Sequence, residues 1–353
     1  MRFGTFLPQG WRFDLVGIDP AEHWATMRGL AQRADAGPWE SLWVYDHFHT
    51  TPVPSDEATH EAWTLMAAFA ASTQRIRLGQ MCTCMGYRNP AYLAKVAATI
   101  DHVSAGRVEM GIGGGWYEHE WRAYGYGFPE VPRRLRKLRE GVEIMRQAWT
   151  TGTATFSGHE YQVDGAIVRP LPVQKVRAPG LRAGAPGGAP VQAPGEAGPG
   201  IPLWIAGGGE KVTLRIAARY ASYTNFTGPL DEFLQKDAAL RAHCSVLGRD
   251  QAEIVRSSNF NTIVAPTEAE AHERLAAVKA RLLPHLGQAR ADKVEQEYLA
   301  SDGFGTPEQV VERLSARAAH GLGYSIHYFP ELAYDTSGVE LFEREVIPAL
   351  TAV

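Results

Sequence analysis

The chain has 353 residues, of which 45% are apolar and 21% are charged, with 35 basic against 39 acidic side chains and a net charge of −4. This balance gives no electrostatic basis for binding nucleic acid, and no apolar run approaches the roughly 20 residues that span a bilayer. The N-terminus also lacks the charged and apolar regions of a signal peptide, so we expect a globular, cytoplasmic protein without a membrane partner.

Short β-like runs alternate with longer amphipathic helical runs along the chain. Strands are predicted at residues 2–8, 41–45, 75–82, 107–113, 201–207, 257–265 and 323–329. Helices are predicted at residues 21–36, 61–73, 91–104, 133–149, 210–221, 267–283 and 339–350. This alternation favours a parallel sheet with right-handed crossovers, closed into a (β/α)8 TIM barrel. A doubly wound sheet is the alternative, but it expects a phosphate loop after the first strand, where the chain reads Leu7-Pro8-Gln9.

The segment from Arg169 to Gly200 interrupts the alternation. Proline, glycine and alanine dominate it, and no hydrophobic period is visible. Strand–helix units on both sides favour a loop inserted into one barrel over a linker between two domains. We therefore expect a single domain over residues 1–353, with a mobile insertion loop at residues 170–200.

Asp46 and His47 directly follow the second predicted strand, and functional groups of a parallel barrel gather at the C-terminal strand ends. An imidazole can relay a proton near pH 7, and a neighbouring carboxylate can accept a hydrogen bond from a heterocyclic N–H. Two alternatives stay open: a capping aspartate beside a packed histidine, and a metal site formed by Asp46, His47 and His49. The three cysteines show neither a disulfide framework nor zinc spacing, so we expect reduced, structural thiols.

Two glycine runs follow later strands. The run Gly113–Gly115 lets the backbone approach a flat ligand closely, although Trp116 occupies the third glycine position of a dinucleotide fingerprint. The run Gly207–Gly209 precedes a helix that opens near Glu210, an arrangement that favours anions. A polar heterocycle at the second strand and a phosphate at the later glycine run together describe a flavin or deazaflavin.

Four stretches of the sequence carry a family resemblance: RFGTFLPQ at residues 2–9, DHF at 46–48, residues 78–125, and PLWIAGGGEKVTLRIAARYA at 202–221. With these the chain resembles the bacterial-luciferase-like group, whose members use FMN or the deazaflavin coenzyme F420. The resemblance implies that Asp46 and His47 face the reacting heterocycle as the catalytic pair. It also implies a non-prolyl cis peptide near Met81-Cys82 and a coenzyme phosphate held by backbone at Gly207–Gly209.

The resemblance implies these coenzyme-binding residues: Asp46, Met81, Cys82, Cys84, Gly113, Gly114, Gly115, Gly207, Gly208, Gly209 and Glu210. The aromatic and acidic side chains expected at a substrate pocket are Trp11, Phe48, Trp116 and Glu118.

Departures from relatives favour one branch of the group. Gly114 stands where luciferases carry an arginine for the FMN phosphate, and Trp116 stands where deazaflavin-dependent sugar-phosphate dehydrogenases place a glutamate. We therefore expect an F420-dependent oxidoreductase that transfers a hydride to or from a small organic substrate. The alternative is an FMNH2-dependent monooxygenase of the luciferase type, which would need a flavin reductase as partner. The resemblance further implies a homodimer.

Overall fold

A computed structural model of the chain describes residues 1–182, 185 and 195–351. The strands are β1 (Arg2–Phe6), β2 (Ser41–Val44), β3 (Arg77–Gln80), β4 (Thr83–Cys84), β5 (Val108–Gly113), β6 (Thr153–Ser157), β7 (Gln162–Ile167), β8 (Lys175–Arg177), β9 (Ala197–Pro199), β10 (Leu203–Ala206), β11 (Tyr223–Asn225), β12 (Val255–Val264), β13 (Gly303–Gly305) and β14 (Leu322–Tyr328).

The α-helices are α1 (His23–Ala36), α2 (Ala62–Ser72), α3 (Pro90–Val103), α4 (Glu118–Ala123), α5 (Val131–Thr151), α6 (Thr213–Tyr220), α7 (Leu230–Leu247), α8 (Glu268–Leu286), α9 (Gln288–Leu299), α10 (Pro307–Ala319), α11 (Ser337–Leu341) and α12 (Ile347–Thr351). Single turns of 3-10 helix lie at Pro20–Glu22, Met85–Tyr87 and Gln251–Glu253, and Phe342–Val346 forms a π-helical turn. Local sequence explains several helix ends. Asn89 caps α3 ahead of Pro90, a capping box of Thr306 and Gln309 opens α10, and Gly152 in the left-handed region ends α5.

The described residues form two compact units. The first consists of Met1–Leu65, Ser72–Ile76 and Ser257–Val353, and the second of Met66–Ala71 and Arg77–Arg256.

The first unit contains β1, β2, β13, β14 and most of β12, with their helices. β1 lies between β14 and β2, parallel to both, and β12 is parallel to the short β13. The four residues of β2 are all buried, as expected for a strand of a parallel sheet covered on both faces. Aromatic rings fill the core of this unit: His327 lies 4.4 Å from the ring of Phe342, and Trp39 stacks on Phe342 at 5.6 Å.

The second unit contains a parallel sheet formed by β3, β4, β5, β10 and β11. β5 lies between β3 and β10, β11 extends the sheet beyond β10, and the short β4 pairs with β5; all these pairs are parallel. Trp204 of β10 stacks on Tyr223 of β11 with 3.9 Å between the ring centroids. β6 and β7 form an antiparallel hairpin that the sequence analysis did not predict.

The predicted fold class is confirmed, because the chain has the (β/α)8 barrel fold and not a doubly wound sheet. The sequence pattern did not predict β11 of the parallel sheet, because its three residues, Tyr223–Asn225, are too few to show a period. The single domain expected over residues 1–353 stays a prediction. In the part of the chain that the structure describes, no helix is long and apolar enough to cross a membrane.

The insertion is more ordered at its base than its composition predicts. β8 and β9 form an antiparallel ladder, and the buried Ala178 exchanges backbone hydrogen bonds with Gly195 and Glu196. The sequence pattern did not predict this pairing, because backbone pairing there does not depend on β-forming side chains; the mobility of the insertion stays a prediction. Residues 183–184 and 186–194 of the expected loop lie outside the described residues.

Candidate active site

The residues after β2 end a row of stacked rings in the first unit. Tyr45 stacks on Phe6, with 4.3 Å between centroids and 4° between planes. Trp11 packs on Tyr45 at 3.9 Å, and the imidazole of His47 lies flat on Trp11, at 4.4 Å and 3°. Asp46, between Tyr45 and His47, is only 2% exposed, whereas His47 is half-buried. The stack fixes the plane of the imidazole and leaves part of it accessible.

Gln9 holds this strand end in place. Its side-chain amide donates to the carbonyl oxygen of Tyr45 at 2.8 Å, and its Oε1 accepts from the Tyr45 N–H at 2.8 Å. The same Nε2 donates to the carbonyl of His60 at 2.6 Å. Because both backbone groups of Tyr45 are bonded to one side chain, the positions of Asp46 and His47 depend on Gln9.

A buried charged cluster lies behind the stack. The Arg12 guanidinium lies 5.0 Å from the Trp11 ring and 4.7 Å from the Tyr328 ring, and donates to Asn261 Oδ1 at 2.7 Å. Asp14 accepts from the N–H of Gly10 at 2.6 Å and from the Tyr328 hydroxyl at 2.9 Å. Burial raises the pKa of Asp14, although those hydrogen bonds and Arg12 oppose the shift. The cluster fixes the loop that carries Trp11.

The indole N–H of Trp11 is buried and has no hydrogen-bond partner among the residues that the structure describes. A buried donor without an acceptor is costly, by about 1–3 kcal/mol. Trp11 is therefore placed to donate to an acceptor that a ligand brings beside His47. The predicted pocket residue Phe48 and the neighbouring His49 are both half-buried. No group of three or more His, Cys, Asp and Glu side chains suited to a metal occurs among the described residues, so the metal alternative at Asp46, His47 and His49 finds no support.

In the second unit, the segment after β3 contains the expected cis peptide bond, between Met81 and Cys82. The thiol side chains that follow lie against the first glycine run. A Cβ on Gly113 would lie 2.8 Å from Cys82 Sγ, and one on Gly115 would lie 2.4 Å from Cys84 Sγ. Gly115 also has a φ of +77°, in the left-handed region. Glycine is required at both positions by the close approach of the two sulfur atoms.

The predicted pocket residues after this run lie at the surface. Trp116 is 61% exposed and stacks on Tyr117 with 5.2 Å between centroids. Glu118 forms an exposed ion pair with Arg122 within α4, at 2.7 Å. Burial, with help from the charge of Glu120, raises the pKa of Tyr117 to about 12. Tyr117 is thus a neutral hydroxyl donor at neutral pH.

The second glycine run forms a cradle at the start of α6. Gly207 has a φ of +111°, and its N–H donates to the carbonyl of Asn225 at 2.9 Å. No side chain caps α6, so the positive end of the helix is open to an anion, although the Leu214 N–H already donates to the Gly209 carbonyl at 3.1 Å. Lys236 of α7 lies over the run, since a Cβ on Gly208 would lie 2.7 Å from Lys236 Cε and 3.3 Å from its Nζ. The ammonium group donates to the carbonyl of Thr227 at 2.8 Å and to Glu232 at 3.0 Å.

Glu210, the last predicted coenzyme contact, is held by α7. Its carboxylate accepts from the Gln235 side-chain amide at 2.6 Å, and its carbonyl lies 2.7 Å from His243 Nε2. These contacts fix the loop between Gly209 and α6. The structure thus places Trp11, Asp46, His47 and Phe48 in the first unit. The remaining predicted residues belong to the second unit: Met81, Cys82, Cys84, Gly113, Gly114, Gly115, Trp116, Glu118, Gly207, Gly208, Gly209 and Glu210.

Three positioning residues were not predicted: Gln9, Arg12 and Lys236. Gln9 and Arg12 flank Trp11 in the loop after β1, and only their position after a barrel strand could have singled them out. Lys236 lies 28 positions after Gly208, so its place over the cradle depends on the path of α7, which the sequence does not reveal.

Comparisons with known proteins agree on one family. The family model described as luciferase-like monooxygenase matches residues 1–324. The F420-dependent glucose-6-phosphate dehydrogenase of Amycolatopsis mediterranei (strain U-32) is 27% identical over 330 residues, which is 92% of this chain and 93% of that protein. The FMNH2-dependent dimethylsulfone monooxygenase of Pseudomonas putida is 25% identical over 346 residues, 91% of this chain and 86% of that protein. A solved F420-dependent secondary alcohol dehydrogenase in complex with an F420–acetone adduct superposes with a TM-score of 0.74 at 20% identity, covering 99% of this chain and 98% of that one.

Proposed function

Because this chain belongs to the luciferase-like monooxygenase family, we propose that it is an F420-dependent oxidoreductase that transfers a hydride to or from a small organic substrate. The protein is an enzyme of this family, and both F420-dependent and FMNH2-dependent enzymes are among its relatives. The observation that carries the proposal is the half-buried imidazole of His47, held flat on Trp11 beside the buried Asp46 at the carboxyl end of β2.

The residues present fit such a coenzyme. Glycine at 113 and 115 lets the backbone lie directly against the thiols of Cys82 and Cys84, and such a close-packed surface suits a flat ring. Beside Gly207–Gly209, the uncapped start of α6 and the ammonium group of Lys236 suit a phosphate. The unsatisfied N–H of Trp11 offers one further donor to the ligand. We therefore assign these groups to coenzyme binding.

When bound, a deazaflavin accepts or donates two electrons as a hydride. We assign to His47 the proton that must move with them: it takes the proton of a substrate hydroxyl when an alcohol is oxidised, and returns it to the oxygen when a carbonyl is reduced. Asp46 would hold the edge of the ring by accepting a hydrogen bond from it. Trp11 and Gln9 keep the imidazole in one orientation, so the proton acceptor is in place before the substrate arrives.

One residue, Trp116, bears on the substrate. Trp116 stands where the resemblance places the glutamate of the sugar-phosphate dehydrogenases, and its exposed indole offers an apolar surface instead of a carboxylate. Although relatives are named as glucose-6-phosphate dehydrogenases, we therefore propose a less polar alcohol, aldehyde, enone or imine as the substrate.

An anaerobic assay tests this function. The purified protein is mixed with oxidised or reduced F420 and with a panel of these four substrate classes under argon, and the coenzyme absorbance is followed. We expect turnover with at least one class in the absence of oxygen. Turnover that requires FMNH2 and oxygen would contradict the proposal.

The second candidate is an FMNH2-dependent monooxygenase supplied by a flavin reductase. The similarity to the Pseudomonas putida enzyme, over 91% of this chain, favours it as the alternative. Oxygen consumption in the presence of a flavin reductase separates the two functions, because hydride transfer from a deazaflavin consumes no oxygen. We also propose a homodimer, which light scattering on the eluted protein tests through the molecular mass.

A further inference from the structure

A cleft of about 550 Å³ lies on the second unit, between α5, α6 and the end of α7. This volume lies within the range of about 300–1,000 Å³ that is typical of small-molecule sites. None of its lining residues belongs to the catalytic or coenzyme-binding set assigned above.

One part of the lining is apolar. The aliphatic side chains that form it are Leu135 of α5, Val212 and Ile216 at α6, and Val246 and Leu247 of α7. Val246 is 56% exposed, so it presents an aliphatic surface to solvent at this cleft. An aliphatic lining of this kind favours a hydrocarbon or aryl group.

The other part is cationic: Arg136 and Arg139 come from α5, and Arg215 and Arg219 from α6. The one acidic residue of the lining, Glu143, accepts a hydrogen bond from the Tyr220 hydroxyl at 2.6 Å. The lining carries four guanidinium groups and one carboxylate, and two further carboxylates, Glu160 and Glu140, pair with Arg136 and Arg139, so an excess of positive charge remains at the cleft.

The four arginines differ in how many of their N–H donors already have an acceptor within the protein. Arg136 donates to Glu160 at 3.0 Å, and Arg219 donates to the Tyr220 hydroxyl at 3.0 Å. Arg139 lies 3.5 Å from Glu140, whose oxygens already accept three backbone N–H groups, from His159, Glu160 and Tyr161. Arg215 is exposed and makes no hydrogen bond or ion pair within the described residues. Arg139 and Arg215 are therefore the groups with donors to spare for an anion.

We propose that this cleft binds an amphipathic anion, a molecule in which a phosphate or sulfate group is attached to an alkyl or aryl chain. The planar guanidinium groups recognise the head group through paired hydrogen bonds, and the aliphatic side chains bury the chain. The head group alone would leave the apolar lining exposed, and the chain alone would leave Arg139 and Arg215 without an anion to bind. The site is separate from the proposed reaction and does not depend on it.

Titration calorimetry with octyl phosphate at low salt tests the proposal, with inorganic phosphate and octanol as the two half-ligands. We expect octyl phosphate to bind at least about tenfold more tightly than either half, and its affinity to fall with added salt. The variant Arg139→Glu/Arg215→Glu should lose at least about tenfold in affinity, and Val246→Asp should also weaken binding. Arg28→Glu, which reverses the charge of another exposed arginine outside the cleft, should bind like the wild type.

Circular dichroism establishes that each variant is folded before titration. Equal affinities for octyl phosphate and inorganic phosphate would show a simple anion site and overturn the proposal. So would unchanged binding in both cleft variants, or no heat of binding at millimolar ligand. Binding to vesicles of anionic phospholipid without binding of octyl phosphate would indicate a membrane surface instead, and would equally overturn it.

Discussion

The imidazole of His47 lies parallel to the indole of Trp11, with 4.4 Å between the centroids and 3° between the planes. The indole is itself 6% exposed and packed on Tyr45, so the imidazole rests on a rigid support. This relationship gives the histidine one orientation without burying it, which is what a proton-transfer group requires.

We predict that His47→Ala folds and binds coenzyme but loses turnover by about 10²–10⁴-fold, the typical contribution of a positioned proton-transfer group. The measurement is kcat at saturating coenzyme and substrate, with coenzyme affinity determined in parallel. His320→Ala, which removes an exposed histidine at the end of α10, is the matched control and should turn over normally. Wild-type turnover in His47→Ala would show that His47 is structural.

Two glycines with the same backbone conformation, Gly115 and Gly125, allow the steric cost of a side chain to be measured. Gly115 and Gly125 both have a φ of +77°, but an added Cβ would lie 2.4 Å from Cys84 Sγ at Gly115 and would meet nothing within 4 Å at Gly125. Backbone strain is therefore common to both alanine variants, at about 1 kcal/mol. We predict that Gly115→Ala loses about 1–3 kcal/mol more in free energy of unfolding than Gly125→Ala, because of overpacking. Urea unfolding measures the difference, and equal losses would refute the steric argument.

Lys236 and Arg241 are a second pair of residues whose substitutions can be compared. It forms an i,i+4 ion pair with Glu232 at 3.0 Å, and Arg241 on the same helix forms one with Asp237 at 3.0 Å. Lys236→Met and Arg241→Met therefore lose comparable surface pairs, each worth about 0.3–0.5 kcal/mol of stability. Only Lys236 lies over Gly208, so we predict that Lys236→Met alone lowers coenzyme affinity, by about tenfold. Equal coenzyme affinities in the two variants would remove Lys236 from the phosphate site.

His327 should make stability depend on pH. Burial lowers its pKa to about 3, and its Nδ1 lies 2.8 Å from Thr262 Oγ1. Below about pH 6.5 the unfolded chain binds a proton at this residue while the folded protein does not, so acid favours unfolding. His327 alone therefore lowers the free energy of unfolding by about 1.4 kcal/mol per pH unit as the pH falls from about 6 toward 4.

His327→Gln can keep a hydrogen bond to Thr262 but does not titrate. We predict that it is less stable than the wild type at pH 7.5, because it loses aromatic packing against Phe342. The difference in free energy of unfolding between the wild type and His327→Gln should become smaller as the pH falls, as measured by urea unfolding at pH 7.5, 6 and 5. A constant gap over this range would show that the folded protein protonates His327.

The sequence predicted those features that depend on residue type and strand position. Asp46 and His47 do follow a buried strand, and the cis peptide implied by the resemblance lies at Met81-Cys82. The sequence could not predict contacts between residues that are far apart in the chain. The cluster of Arg12, Asp14 and Tyr328 joins residues 314 positions apart, and β8 pairs with β9 through backbone groups that composition does not describe.

The central claim is that the protein uses the deazaflavin coenzyme. Fluorescence titration of the purified protein with F420 and, separately, with oxidised and reduced FMN tests it most directly. We predict saturable binding of F420 at micromolar concentration or below, weakened by Lys236→Met and retained in His47→Ala. Saturable binding of FMN with no binding of F420 would contradict the account and leave the monooxygenase as the function.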